Sequence, residues 1–97
     1  MQGSLILTPK GYYPWEAKDM ASVTLDSLER ITSLAGEIDL LLMGTGDNMA
    51  FLPKAIRVAL EAENIAVDVM ATGAAARTYN ILLMEGRKVA AALIAVD

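Results

Sequence analysis

Ninety-seven residues with 55% apolar content make one domain of ordinary size. That content exceeds the usual ~45–50%, so strands covered on both faces or an oligomeric surface are expected. Eight basic against twelve acidic residues give a net charge of −4, without the basic stripe a nucleic-acid binder needs. Cysteine and histidine are both absent, which excludes disulfides, thiolate or imidazole metal sites, and Ser-His-Asp or Cys-His catalysis within this chain.

In chain order, Leu5-Ile6-Leu7 reads as a short strand entering a turn at Thr8-Pro9-Lys10-Gly11. Tyr12 to Met20 has no period and reads as a loop, with a further short strand around Ala21-Ser22-Val23. Thr24 suits a helix N-cap; Leu25, Leu28, Ile31 and Leu34 recur every three residues, and Gly36 closes the helix. Ile38 to Met43 is almost wholly apolar, with Asp39 at an exposed start, as in a buried parallel strand. Gly44-Thr45-Gly46-Asp47-Asn48 then forms a turn.

Pro53 fits a first helical turn. Leu52, Ala55, Ile56, Ala59 and Leu60 share one helical face, opposite Lys54, Arg57 and Glu61, and Asn64 stops the helix. Ile65 to Met70 is the next strand. Thr72 is predicted to cap a third helix running to Glu85, ended by Gly86. Ala75, Tyr79, Leu82 and Leu83 make its core stripe. Ile81 and Met84 lie off that stripe, so this helix is either central or covered by a partner. Lys88 to Val96 is a last strand rich in Ala and Val. Alternation of strand and helix predicts an α/β fold with a mainly parallel sheet in a single domain, residues 1–97. No run of ~18 apolar residues suggests a membrane span, and Met1-Gln2-Gly3-Ser4 lacks the pattern of a signal peptide; a cytoplasmic location is expected.

Two segments are candidates for ligand contact. Gly44-Thr45-Gly46 follows a buried strand, where α/β sheets bind ligands outside strand carboxyl ends. It is not a dinucleotide or Walker A loop: Met49 stands at the third glycine position and no Gly-Lys-Ser/Thr follows. The plainer alternative is a tight turn needing positive φ. The second segment is the helix start at Thr72, with Arg77 and Asn80 beyond it. Free backbone N–H groups there suit a small carboxylate or phosphate, and the plainer alternative is a capped helix with solvated polar groups. The candidate binding residues are therefore Gly44, Thr45, Gly46, Thr72, Arg77 and Asn80. Tyr79 reads as a core ring, and Trp15 with Tyr12 and Tyr13 as a lid over a sheet face. The carboxylate pairs Glu61/Glu63 and Glu16/Asp19 lack the apolar setting that separates their pKa values. No catalytic set, metal site or cofactor emerges from these residues.

Leu41-Leu42-Met43-Gly44-Thr45-Gly46, Trp15, the run Met70-Ala71-Thr72-Gly73-Ala74-Ala75-Ala76-Arg77-Thr78-Tyr79-Asn80, and Glu85-Gly86-Arg87 together resemble a family. It is the domain of unknown function shared with the mitochondrial complex I assembly factor related to subunit three and with an adipogenesis-associated Mth938-domain protein. The resemblance implies a three-layer α/β fold with a mixed central sheet and helices on both faces. It also implies action through protein contacts, with no known catalytic residue or cofactor. Two departures stand out. Ala76 replaces a frequent Cys, so no thiol role carries over, and the aromatic, glycine-rich hairpin that relatives usually carry ahead of Gly3 is expected to be either missing or removed. The leading expectation is a non-enzymatic interaction or assembly protein with an unidentified protein partner and a capacity for homo-oligomers. The alternative is a small-ligand domain taking an anion or nucleotide fragment at Gly44-Thr45-Gly46 and Thr72–Asn80.

Overall fold

A computed structural model describes residues 4–15, 23–24, 26–34, 36–46 and 51–95. Its elements are β1 (Ser4–Thr8), β2 (Gly11–Trp15), a 3-10 turn (Asp26–Leu28) continuing into α1 (Glu29–Thr32), β3 (Leu40–Gly44), α2 (Lys54–Ala62), β4 (Ala66–Met70), α3 (Thr72–Met84) and β5 (Val89–Leu93). The five strands form one mixed sheet in the order β2-β1-β5-β3-β4. β1 pairs antiparallel with β2 and β5, while β3 pairs parallel with β4 and β5. The α/β class read from the residues and the mixed sheet implied by the resemblance are both observed, with the four strand pairings divided evenly between parallel and antiparallel rather than mainly parallel.

The direction of the crossovers explains the layers. β3 to β4 steps outward, and β4 to β5 steps back across β3. Two crossovers of the same hand running in opposite directions place their helices on opposite faces. One core accordingly joins α1 and α2 to Ile6, Trp15, Leu41, Met43, Val67, Ala90 and Ala92. The other joins α3 to Leu42, Val89, Ala91 and Leu93. Alternate residues of each strand divide between the two cores, as the period of two requires.

Five expectations need correction. The stretch from Tyr12 is not loop at its start: Gly11–Trp15 is an edge strand paired along its length with β1. Its hydrophobic pattern is masked by Pro14, which an edge strand tolerates because no neighbour needs its N–H. The hairpin turn at Pro9-Lys10 was legible, and Thr8 Oγ1 fastens it by donating to Gly11 O at 3.0 Å and accepting from Lys10 N–H at 3.1 Å. Of the expected Ala21–Val23 strand, residues 21 and 22 lie outside the described residues, and Val23 is a buried non-strand residue.

The helix expected from Thr24 to Gly36 is short. Thr24 caps the 3-10 turn ahead of α1 rather than α1 itself: Ser27 N–H donates to Thr24 Oγ1 at 3.1 Å and Thr24 N–H to Ser27 Oγ at 3.2 Å, a reciprocal box. The helix then stops after Thr32, where Thr32 and Ser33 hydroxyls donate back to Glu29 O and Arg30 O at 3.2 Å. Such side-chain bonds to the last turn compete with helix continuation. Leu28, Ile31 and Leu34 are still buried, so the apolar period marked the core face although the regular helix is brief; Leu25 lies outside the described residues.

β5 is Val89–Leu93 rather than Lys88–Val96; all five of its residues are buried. Its three alanines let helices approach the sheet from both sides. Lastly, Thr72 is not an N-cap. Ala71 holds that position in extended geometry, without a side-chain cap, and Thr72 is the first helical residue. Its hydroxyl is committed elsewhere.

Candidate functional site

The loop after β3 leads toward α2 on one face, and the single residue after β4 leads into α3 on the other. Divergent connections of this kind create the crevice where α/β sheets hold ligands. Here the two corners bond to each other. Thr45 N–H donates to Met70 O at 2.9 Å, and Thr72 N–H donates to Gly46 O at 2.8 Å. The Thr72 hydroxyl accepts from Gly46 N–H at 2.8 Å and donates to Ile94 O at 2.7 Å. Ile94 N–H in turn donates to Gly44 O at 2.9 Å. One hydroxyl thus satisfies a donor and an acceptor from two different segments, and it is 26 residues from one and 22 from the other.

The glycines have separate reasons. A Cβ on Gly44 would lie 3.0 Å from Thr72 Cα, from Thr72 Oγ1 and from Leu93 Cδ2; Gly44 exists to let α3 begin against the end of β3. Gly46 sits at φ +103, a region that side chains rarely adopt. Gly44, Thr45, Gly46 and Thr72 are all buried. The structure therefore brings these four candidates together as a latch. Arg77 and Asn80 are not part of it; both are exposed along α3. Five residues of helix separate Arg77 from Thr72, about 7.5 Å in rise and about 140° in rotation, which turns Arg77 away from the sheet.

The sequence did not reveal the Ile94 and Met70 carbonyls as partners of this corner. Their only signal is position, at the carboxyl ends of the strands that flank β3. Tyr79 is buried in the α3 core as expected, and burial raises its hydroxyl pKa above the ordinary value of about 10. Trp15 is buried too, with an indole Nε1 that has no hydrogen-bond partner among the described residues. Tyr13 carries the Arg30 guanidinium over its ring at 4.1 Å, while Tyr12 is 73% exposed. The three aromatics are thus spread between core and solvent.

Among the described residues, clefts lie away from the six candidates. One of about 320 Å³ lies between α1 and α2, lined by Asp26, Glu29, Thr32, Ala59 and Glu63. A second of about 260 Å³ adjoins Trp15, Asp26, Ser27, Glu29 and Arg30. Among the described residues no group of three carboxylates is placed to hold a metal ion, and no helix is long and apolar enough to cross a membrane.

With this geometry in place, known proteins are informative. An uncharacterized protein of Rhodobacter capsulatus is 42% identical over 93 residues, spanning 96% of this chain and 69% of that protein. The NADH dehydrogenase [ubiquinone] 1 alpha subcomplex assembly factor 3 of Xenopus tropicalis is 34% identical over 92 residues. That alignment takes in 95% of this chain but only 50% of the assembly factor, so the chain spans about half the length of that relative. Among solved structures, one described as an outer membrane protein from Bartonella henselae matches with TM-score 0.93 and 40% identity, covering 100% of this chain and 81% of that one. A Bordetella pertussis protein described as an Mth938-like domain matches with TM-score 0.82 and 30% identity, covering 95% and 73%. The family model described as "Protein of unknown function (DUF498/DUF598)" matches residues 1–94, and the chain belongs to that family.

Proposed function

We propose that this domain works as a non-enzymatic interaction module of the assembly-factor kind, located in the cytoplasm. The observation that carries the proposal is the latch. At the corner where this fold class offers ligands a crevice, the Thr72 hydroxyl already engages the Gly46 N–H and the Ile94 carbonyl. A ligand anion would have to displace a buried protein hydrogen bond there, which costs about 1–3 kcal/mol for each group left unmade. The assembly-factor name of the Xenopus relative supports the same reading.

The partner would meet apolar surface, and the β1–β2 hairpin supplies some. Leu5 and Leu7 are half-buried on the α3 side of the sheet, and Tyr12 is exposed beside them in register with Leu7. α3 packs mainly over β3 and β5, and among the described residues no helix covers that half of the sheet. Exposed aromatic and aliphatic groups of this kind are the usual anchors of an interface.

A cross-linked pull-down of tagged protein from its native cell, read by mass spectrometry, tests the proposal. The soluble fraction should return a reproducible partner that Tyr12→Asp loses by about tenfold or more, as loss of an anchor residue implies. No partner enriched over the tag alone would sink it. So would a small anion that raises the Tm of wild type but not of Thr72→Val. Such a ligand at 100 times its Kd adds about 2.7 kcal/mol, which a thermal-shift screen detects.

A further inference from the structure

The outward face of α3 carries apolar side chains that the fold does not use. Ile81 is 57% exposed and Met84 87% exposed. Both lie opposite the stripe of Thr72, Ala75 and Tyr79 that faces the sheet. Arg77 and Glu85, also exposed, stand four residues before and four residues after Ile81. At 1.5 Å per residue each charge is about 6 Å from Ile81 along the axis, in opposite directions.

That spacing is self-complementary. An antiparallel copy of the helix, related by a two-fold axis at Ile81, brings each Arg77 level with the partner's Glu85. Ile81 meets the partner's Ile81, and Met84 lies level with the partner's Thr78. Ala74 and Thr78 are half-buried and small, so two helices can close at short range. A parallel arrangement would instead set Arg77 beside Arg77 and Glu85 beside Glu85. Isologous contacts of this form are the commonest way for a soluble chain to self-associate.

We infer that the outward face of α3 is a homodimer interface: a second copy of this chain packs antiparallel about Ile81, with reciprocal Arg77–Glu85 pairs. The inference is independent of the hairpin surface proposed for a heterologous partner. A contact centred on one 13-residue helix is smaller than the standard ~1,200–2,000 Å² interface. The dimer is therefore a weak one that forms with rising concentration. Arg77 has no part in the latch, so its substitution leaves that corner intact.

Sedimentation equilibrium of the whole protein over a concentration series tests the inference. Wild type should approach twice the monomer mass. Arg77→Glu and Glu85→Arg alone should each weaken association by about tenfold or more, because like charges then face each other across the axis. The double variant should recover to within about threefold of wild type. All these side chains are exposed, and circular dichroism checks that each variant folds.

A second measurement uses the absence of cysteine in the chain. Ile81→Cys should form a disulfide-linked dimer under mild oxidation at least ~10 times faster than Val58→Cys, since the two-fold sets Cβ atoms within disulfide reach. Val58 is comparably exposed, at 54%, on α2. A wild type that stays monomeric at every concentration would overturn the inference. So would a charge-swapped double variant that fails to recover, or a pair of cysteine variants that cross-link at equal rates.

Discussion

The two faces of the sheet are held by different means. On the face of α1 and α2 the contact is made by large side chains: Ile6, Leu28, Ile31, Leu41, Met43 and Leu60 are fully or almost fully buried there. On the α3 face the helix comes close because its neighbours are small. Ala75 and Ala91 lie in that core, Gly44 leaves no Cβ in the path of Thr72, and a single hydroxyl ties three chain segments. The first face is filled by volume, so deleting a side chain there leaves a cavity. The second depends on distance, so small changes there have large effects. The difference also bears on function, since the tight α3 corner is the one where a ligand crevice was expected.

Breaking the volume-filled face should have the largest effect. Leu41→Ala deletes a fully buried side chain and is expected to cost about 2–5 kcal/mol in chemical denaturation, scaling with the cavity left behind. Thr72→Val keeps the shape but leaves the Gly46 N–H and the Ile94 carbonyl buried without their partner. With each stranded group in the lower half of the usual range of about 1–3 kcal/mol, because the neighbouring backbone bonds of Thr72 N–H and Ile94 N–H persist, a loss of roughly 2–4 kcal/mol is expected. Thr72→Ser should retain most of the stability. Equal stability of the Val and wild-type proteins would show that the latch is incidental.

Gly44→Ala places a methyl group 3.0 Å from backbone and side-chain atoms at the start of α3. Overpacking of this kind costs about 1–3 kcal/mol. Hydrogen exchange should show the loss concentrated in α3 and β5 rather than in α1 and α2. Uniform loss of protection would mean that the two faces are not separable.

The smallest effect is a pH dependence. Burial raises the Tyr79 pKa in the folded chain, so the folded state holds its proton where the unfolded state has released it. The stability that Tyr79 contributes is complete below about pH 10, the unfolded value, and is lost as pH rises through the higher folded value. Alkaline unfolding of Tyr79→Phe should lack this component; an unchanged alkaline profile would remove the basis for it.

How much of this was legible in the sequence differs by segment. The α2 period, with Leu52, Ile56 and Leu60 inward, could be read directly because an amphipathic helix repeats its apolar residues on one side. Asn64 at φ +63 and Gly86 at φ +77 end α2 and α3 close to where those residue types predict. β2 was not legible, since Gly-Tyr-Tyr-Pro-Trp has turn residues in a strand that is held by its pairing with β1. At the candidate site, the two segments that share the carboxyl edge of the sheet could be foreseen from strand order. That they would satisfy each other could not.

By itself, then, the sequence determined the fold class, the inward face of α2, and the catalytic chemistries closed to a chain without cysteine or histidine. These follow from local period and side-chain chemistry, which need no knowledge of distant residues. The tertiary structure alone decided the role of Thr72, predicted as a helix cap and found as the tie between Gly46 and Ile94. That role depends on contacts between residues more than about 20 positions apart, whose distance is set by how closely α3 packs on β3 and β5 rather than by any pattern within a segment.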